Sequence, residues 1–318
     1  MNLSQEKRAV IALGGNAISP PDKVTEIAGQ FQHTRESLNE LLKLINRGFQ
    51  IAIVHGNGPQ VGAALRRVEM ARHDLPDVPL GLLVADTEGS MGYMIEQSFQ
   101  NVLVKAGIKK DVVTLVTQVL VDRHDPALLN PSKFIGRNFT FEEAKIRIEK
   151  EGWEMKSYGN SDSWRRVVGS PLPISIINAR IVRQLIDTGA ILITAGGGGI
   201  PVYLDEEMGL EGVDAVIDKD LAAAILAKEI DAEIFIIITN VDGVYINFGK
   251  PDQLRIPKMT AGTALEHMAD GQFPAGSMGP KIKAATEFLQ NGGKQAIICD
   301  IKQLDRAMEN QAGTIIIP

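Results

Sequence analysis

The sequence predicts an α/β fold, with a mostly parallel sheet covered by helices on both faces in a three-layer αβα sandwich. Three observations predict it: short apolar, β-branched runs recur along the chain, helical stretches lie between most of them, and three of the runs end in glycine clusters. Runs without polar alternation read as strands buried on both faces. Strands alternating with helices imply parallel pairing through crossovers.

In order, the strand runs are 9–13, 50–54, 112–121, 190–194, 233–239, 295–299 and 313–317. The helical stretches are 25–47, 59–72, 90–105, 177–187, 215–229 and 278–290. Segment 122–173 breaks the alternation. It carries prolines, both tryptophans, the charged helix-like stretch 141–151 and little parallel-strand signal, so it is expected to be an inserted subdomain projecting from a single domain over residues 1–318. Segment 247–270 is expected to be a hairpin or loop followed by a helix. The sequence holds neither an internal repeat nor a low-complexity tract.

Among the 318 residues, 44% are hydrophobic and 23% charged, and the 31 glycines stand out. The formal net charge of -6 offers no general attraction to nucleic acid or to an anionic membrane, so any bound anion must be held locally. The single cysteine, Cys299, excludes an internal disulfide framework and a cysteine metal cage; its apolar setting reads as a buried structural thiol. The first residues lack an apolar signal core, and no apolar run reaches the length of a membrane span. The expectation is a cytoplasmic protein with no membrane or nucleic-acid partner.

The glycine clusters are Gly14-Gly15-Asn16-Ala17, His55-Gly56-Asn57-Gly58-Pro59-Gln60-Val61-Gly62 and Gly196-Gly197-Gly198-Gly199-Ile200-Pro201. In an open α/β sheet, ligands bind at the carboxyl ends of strands, where the next helix presents unpaired N–H groups and a partial positive charge. Glycine lets a phosphate oxygen approach the backbone closely. A tight strand-to-helix turn would explain any one cluster equally well; three together point to one extended phosphate ligand such as a nucleotide. The loosened dinucleotide fingerprint at Gly56, Gly58 and Gly62 lacks an acidic partner at the next strand end, and no P-loop element occurs.

Charge for the phosphates must then come from isolated cations. Lys133 lies in a turn-rich part of the insertion, while Lys219 and Lys281 lie near helix starts, where a cation opposes the helix dipole unless an anion is bound nearby. Phosphoryl transfer needs mainly positioning and charge neutralisation. Asp220 could orient these lysines or meet Mg²⁺ through water, or simply stabilise its own helix as a first-turn acid. Asp242-Gly243 reads as a turn.

The three glycine clusters, Val216-Ile217-Asp218-Lys219-Asp220, Asn240-Val241-Asp242-Gly243-Val244 and Pro280-Lys281 together resemble the amino-acid-kinase family. In order and spacing over nearly the whole chain they are similar to its carbamate kinases. The resemblance implies the amino-acid-kinase fold and reversible transfer, ATP and carbamate giving ADP and carbamoyl phosphate. It further implies Mg²⁺ carried by the nucleotide and water rather than by direct protein ligands, a homodimer, and use toward ATP in arginine or purine-nitrogen breakdown. By the match, Gly14, Gly15, Asn16, Gly56, Asn57 and Gly58, with Gly196 and Gly197, would hold the transferred phosphoryl and the carbamate. Lys133 would reach in from the insertion acting as a lid. Lys219 and Lys281 would neutralise phosphates, Asp220 would orient Lys219, and Asp242, Tyr245 and Met278 would lie by the nucleotide.

The sequence departs from the family pattern at Phe134 and Arg137, beside Lys133, and at Gly169 before Ser170-Pro171. Two alternatives therefore stay open: a same-fold kinase of another small acid or amino acid, gripped by Arg137 or Arg165, and a non-catalytic nucleotide-binding sensor. An NAD-linked oxidoreductase is a more distant third.

Overall fold

The computed structural model describes residues 7–15, 18, 27–159, 162–274 and 276–318. In chain order its first elements are β1 (Arg8–Leu13), α1 (Ile27–Asn46), β2 (Gln50–His55), α2 (Gly58–Ala71), α3 (Leu80–Lys105) and β3 (Val112–Thr114). Then come β4 (Gln118–Val121), α4 (Pro126–Leu129), β5 (Lys133–Phe139), α5 (Phe141–Glu151), β6 (Met155–Ser157), β7 (Trp164–Val168) and β8 (Pro173–Ile176). The chain continues through α6 (Ala179–Asp187), β9 (Ile191–Ile193), β10 (Ile200–Asp205), β11 (Gly209–Gly212), α7 (Lys219–Glu229) and β12 (Ile234–Thr239). The remaining elements are β13 (Val244–Ile246), β14 (Leu254–Ile256), β15 (Lys258–Thr260), α8 (Ala261–Ala269), α9 (Met278–Gln290), β16 (Gln295–Asp300), α10 (Leu304–Met308) and β17 (Thr314–Ile317).

The central sheet has eight strands in the order β15-β17-β16-β12-β1-β2-β9-β3. From β16 to β3 all neighbours pair in parallel; β17 runs antiparallel to β16 at one side. Along β1, Val10 and Ala12 enter a core shared with α7 and α9, while Ala9, Ile11 and Leu13 enter the opposite core, shared with α1 and α3. Both faces are covered, which is why the strand reads as an unbroken apolar run. Fully burying one Val, Leu or Ile side chain stabilises by about 1.5–3 kcal/mol, so this strand anchors both layers.

The structure departs from the sequence expectations in three places. The apolar run 112–121 is not one strand: β3 belongs to the central sheet and β4 to a separate sheet of order β11-β10-β4-β8. Between them the chain turns at Thr117, whose backbone N–H donates to Glu88 Oε2 at 2.6 Å. Helix α3 begins at Leu80 rather than near residue 90, with Leu80 N–H donating to Asp214 Oδ1 at 2.9 Å. Helix α7 begins at Lys219 rather than 215, because Asp218 caps it by accepting from Asp220 N–H.

Within 122–173, β5, β7 and β6 form a small antiparallel sheet, and α5 opens with a capping box between Thr140 and Glu143. Phe139, Ala144 and Met155 make a separate small core, with Trp153 and Trp164 packed against it. In the stretch 247–270 the chain completes a hairpin, β13–β14, then forms β15 and α8. Cys299 is buried in β16, where desolvation pushes its thiol up to about 12. Among the described residues, no helix is long and apolar enough to cross a membrane.

Candidate active site

Loops leaving the carboxyl ends of β1, β2, β9, β12 and β16 border one cleft of about 1080 Å³. The same direction of travel that brings these strand ends together also points helix starts at the cleft. Asn57 is the N-cap of α2 and Ser277 that of α9, and neither side chain caps its helix. The first turn of α2 offers N–H groups and partial positive charge to an anion; in α9 the Gly279 N–H already donates to the Pro274 carbonyl at 2.9 Å and Pro280 has none, so that turn offers mainly its partial positive charge.

Asp220, 3% exposed, stands at the centre of the charge arrangement. Its Oδ1 lies 2.5 Å from Lys219 Nζ and its Oδ2 2.8 Å from Lys281 Nζ. Burial alone would raise this carboxyl, but the two ammonium groups bring it below its ordinary value. At Lys219 the balance runs the other way: burial lowers it, Asp220 opposes, and Lys281 adds to the lowering. A phosphate in the cleft would relieve that cost by adding an anionic neighbour to Asp220 and Asp218.

From the insertion, Lys133 Nζ reaches Asp218 Oδ2 at 2.8 Å. Asp218 uses its other oxygen to accept from Asp220 N–H at 3.0 Å. One residue therefore both caps α7 and holds the insertion's lysine at the cleft. The sequence signal for Asp218 is an aspartate immediately before a helix, the N-cap position; its pairing with Lys133 emerges only from the fold.

The glycine loops pack against one another beneath the cleft. A Cβ on Gly14 would lie 2.8 Å from the Ile238 carbonyl oxygen, and one on Gly197, whose φ is +68°, would lie 2.1 Å from Asn57 Nδ2. Neither site can take a side chain without movement. His55, 1% exposed, lies under these loops. Burial pushes its imidazole down to about 4; the Gly56 carbonyl opposes, and Lys219 acts with burial. It is a neutral spacer at neutral pH.

Gly14, Gly15, Gly56, Asn57, Gly58, Gly197, Lys133, Lys219, Asp220 and Lys281 all border the cleft. Gly196 sits just behind it, where a Cβ would lie 2.2 Å from His55 Nε2. Asn16 lies outside the described residues. Asp242, Tyr245 and Met278 do not border the cleft. Tyr245 Oη donates to Asp242 Oδ1 at 2.7 Å, and Met278 packs onto the main core; their neighbours Asn240 and Ser277 do border the cleft. Arg165 borders the cleft, while Arg137 turns away to pair with Glu143 and to lie 4.0 Å over the Phe139 ring. Among the described residues, no group of three or more His, Cys, Asp or Glu side chains could hold a metal ion.

The amino acid kinase family model matches residues 7–300. A carbamate kinase of Pyrococcus horikoshii is 39% identical over 98% of this chain and 99% of its own length. The carbamate kinase-like protein YahI of Escherichia coli (strain K12) is 42% identical over 97% of this chain and 98% of its own. Among solved structures, carbamate kinase from Giardia lamblia bound to AMP-PNP superposes with a TM-score of 0.91 at 38% identity, covering 99% of each chain. Likeness of this extent in both sequence and fold means that the chain belongs to the amino acid kinase family.

Proposed function

We propose that this chain is a carbamate kinase, transferring the γ-phosphoryl of ATP to carbamate and the reverse. The observation that carries this reading is the buried Asp220 carboxylate holding the Lys219 and Lys281 ammonium groups together at the glycine-lined cleft. In the forward direction a carbamate oxygen forms a bond to the γ-phosphorus while the bond to the β,γ-bridging oxygen breaks, its electron pair leaving on ADP. Negative charge is spread over the moving phosphoryl and its two oxygen neighbours. Lys219 and Lys281 neutralise it from fixed positions, and backbone N–H groups of the Gly14, Gly56 and Gly197 loops supply donors without reorganisation.

Mg²⁺ would arrive on the nucleotide's phosphates and lower their charge. Asp218 and Asp220 already hold lysines, so these carboxylates fit a water-mediated approach to the ion rather than direct ligation. Lys133 would exchange Asp218 for the carbamoyl phosphate, and segment 122–173 would act as a lid that excludes water from the transfer. A homodimer in the cytoplasm, working toward ATP in nitrogen breakdown, is supported by the family likeness alone.

A second acceptor class is favoured by one observation: Arg165 borders the cleft, where a guanidinium could grip the carboxylate of a larger acid. The test is ATP formation from ADP and Mg²⁺ with carbamoyl phosphate, acetyl phosphate or N-acetylglutamyl phosphate as donor. Rapid turnover of carbamoyl phosphate alone is expected. A preference for N-acetylglutamyl phosphate would move the acceptor to the second class.

A further inference from the structure

Helix α3 buries two adjacent polar side chains, Thr87 at 3% and Glu88 at 1% exposure, at the level of the glycine loops. Thr87 Oγ1 accepts from Asn57 Nδ2 at 2.9 Å and donates to the Val84 carbonyl at 2.8 Å. Glu88 Oε2 accepts from Thr117 N–H at 2.6 Å, and its Oε1 is buried with no partner among the described residues. Burying a carboxyl this way is costly, and burial pushes it up to about 9, opposed only by the Thr117 N–H. A cost of that kind at a position facing no cleft calls for a structural return.

Thr117 is where that return lies. Its Oγ1 accepts from Ala195 N–H at 3.0 Å, donates to the Leu115 carbonyl at 2.8 Å and lies 2.8 Å from Thr194 Oγ1. Its carbonyl accepts from Ile200 N–H at 2.9 Å. Both ends of the 195–199 loop are thus tied to a single residue. The loop needs tying: Ala195 has φ 50° and Gly197, Gly198 and Gly199 all have positive φ, a run of conformations that persists only where its surroundings over-determine it. Tied in this way, the loop presses Gly197 onto Asn57, and Asn57 is itself held by Thr87.

We propose that Glu88 is a positioning residue: by holding Thr117 it fixes the 195–199 loop against Asn57 and so sets the phosphate-facing backbone of the cleft. The activity part of its test rests on the phosphoryl-transfer reading above; the loop part does not. The full chain is compared with Glu88→Gln, Glu88→Leu and Thr117→Val. Glutamine keeps an acceptor oxygen for Thr117 N–H, leucine keeps bulk but no acceptor, and valine removes only the Oγ1 tie.

Measured are amide hydrogen exchange over residues 194–200, the thermal midpoint, and kcat and KM for ATP formation from ADP and carbamoyl phosphate. Glu88→Leu and Thr117→Val are expected to speed loop exchange and to lower kcat, each about tenfold or more. The KM for ADP should stay within about threefold, and Glu88→Gln should restore both loop exchange and kcat to within about threefold of wild type. Loop exchange at the wild-type rate in a folded Glu88→Leu protein would overturn the proposal, as would a glutamine variant no better than the leucine one. If Glu88→Leu does not fold, unchanged exchange and kcat in Thr117→Val would overturn it instead. A wild type that makes no ATP from carbamoyl phosphate would count against the assigned reaction only, since loop exchange still decides the role of Glu88.

Discussion

Lys133 and Lys219 are both cations at one cleft, yet their surroundings differ. Lys219 is buried and fixed by Asp220, whereas Lys133, about a third exposed, reaches from the insertion to Asp218 on the body. A cation that must exchange partners during the reaction suits the second setting. Lys133→Ala is therefore expected to raise the KM for carbamoyl phosphate about tenfold or more while ADP affinity stays within about twofold. Steady-state kinetics in the direction of ATP synthesis measure this, and an unchanged KM for carbamoyl phosphate would remove Lys133 from the acceptor side.

His55 carries the clearest pH signature. Its folded value is about 4 against about 6.5 in an unfolded chain, so between those values the unfolded state takes up a proton that the folded state refuses. Stability from this group is complete above about 6.5 and is lost as pH falls toward 4, at up to about 1.4 kcal/mol per pH unit. Urea denaturation at pH 7 and pH 5 should show a larger loss in wild type than in His55→Gln; equal losses would mean that His55 is not held neutral in the fold. At this scale the sequence showed which residue types mattered but not which were buried. Nothing in the pattern around Glu88 or His55 distinguishes a carboxyl or imidazole sealed under a loop from one at the surface, because burial is decided by β2, α3 and the 195–199 loop meeting in space.

At the start of α7, one aspartate serves two elements. Asp218→Asn keeps an oxygen for Asp220 N–H but loses the charge facing Lys133, while Asp218→Ala loses both. The alanine variant is expected to be about 1 kcal/mol less stable than the asparagine variant, the ordinary worth of an N-cap, and chemical denaturation of the two would check it. Equal stability would mean that the cap contributes nothing here.

Strands buried on both faces were legible: β1, β2, β9, β12 and β16 all fall on predicted apolar runs, and α1, α2, α6 and α9 fall on predicted helical stretches. Strands with one wet face were not. The β10–β11 hairpin alternates half-buried and exposed positions past residue 202 and gives no apolar run. The first turns of α3 were hidden by Gly81 and Gly89. Gly92, in the same helix, stands where a Cβ would meet Thr114 Cγ2 at 2.2 Å, so close packing of α3 on β3 selected a residue that propensity disfavours.

Over the whole molecule, six parallel strands deliver their carboxyl ends to one side of the sheet, and the cleft lies there. The glycine clusters could be read as converging because the topology of alternating strands and helices brings successive strand ends to one edge. That Asp242 and Tyr245 do not line this cleft could not, since Tyr245 lies on a hairpin strand and Asp242 just before it, and the hairpin's direction depends on tertiary packing. The insertion has a small core of its own, but Ile135 and Val168 also pack with Val61, Leu65 and Val84 of the body, so a closing movement of the proposed lid must shift that apolar contact as well as the Lys133–Asp218 pair.

The most direct test of the account is the rate of ATP formation from ADP, Mg²⁺ and carbamoyl phosphate by the wild-type chain and by Lys219→Ala, with ADP binding measured on both. Turnover is expected to be at least about a hundredfold faster in wild type at ADP affinities within a few-fold of each other. A wild type no faster than Lys219→Ala, with ADP bound equally by both, would contradict it.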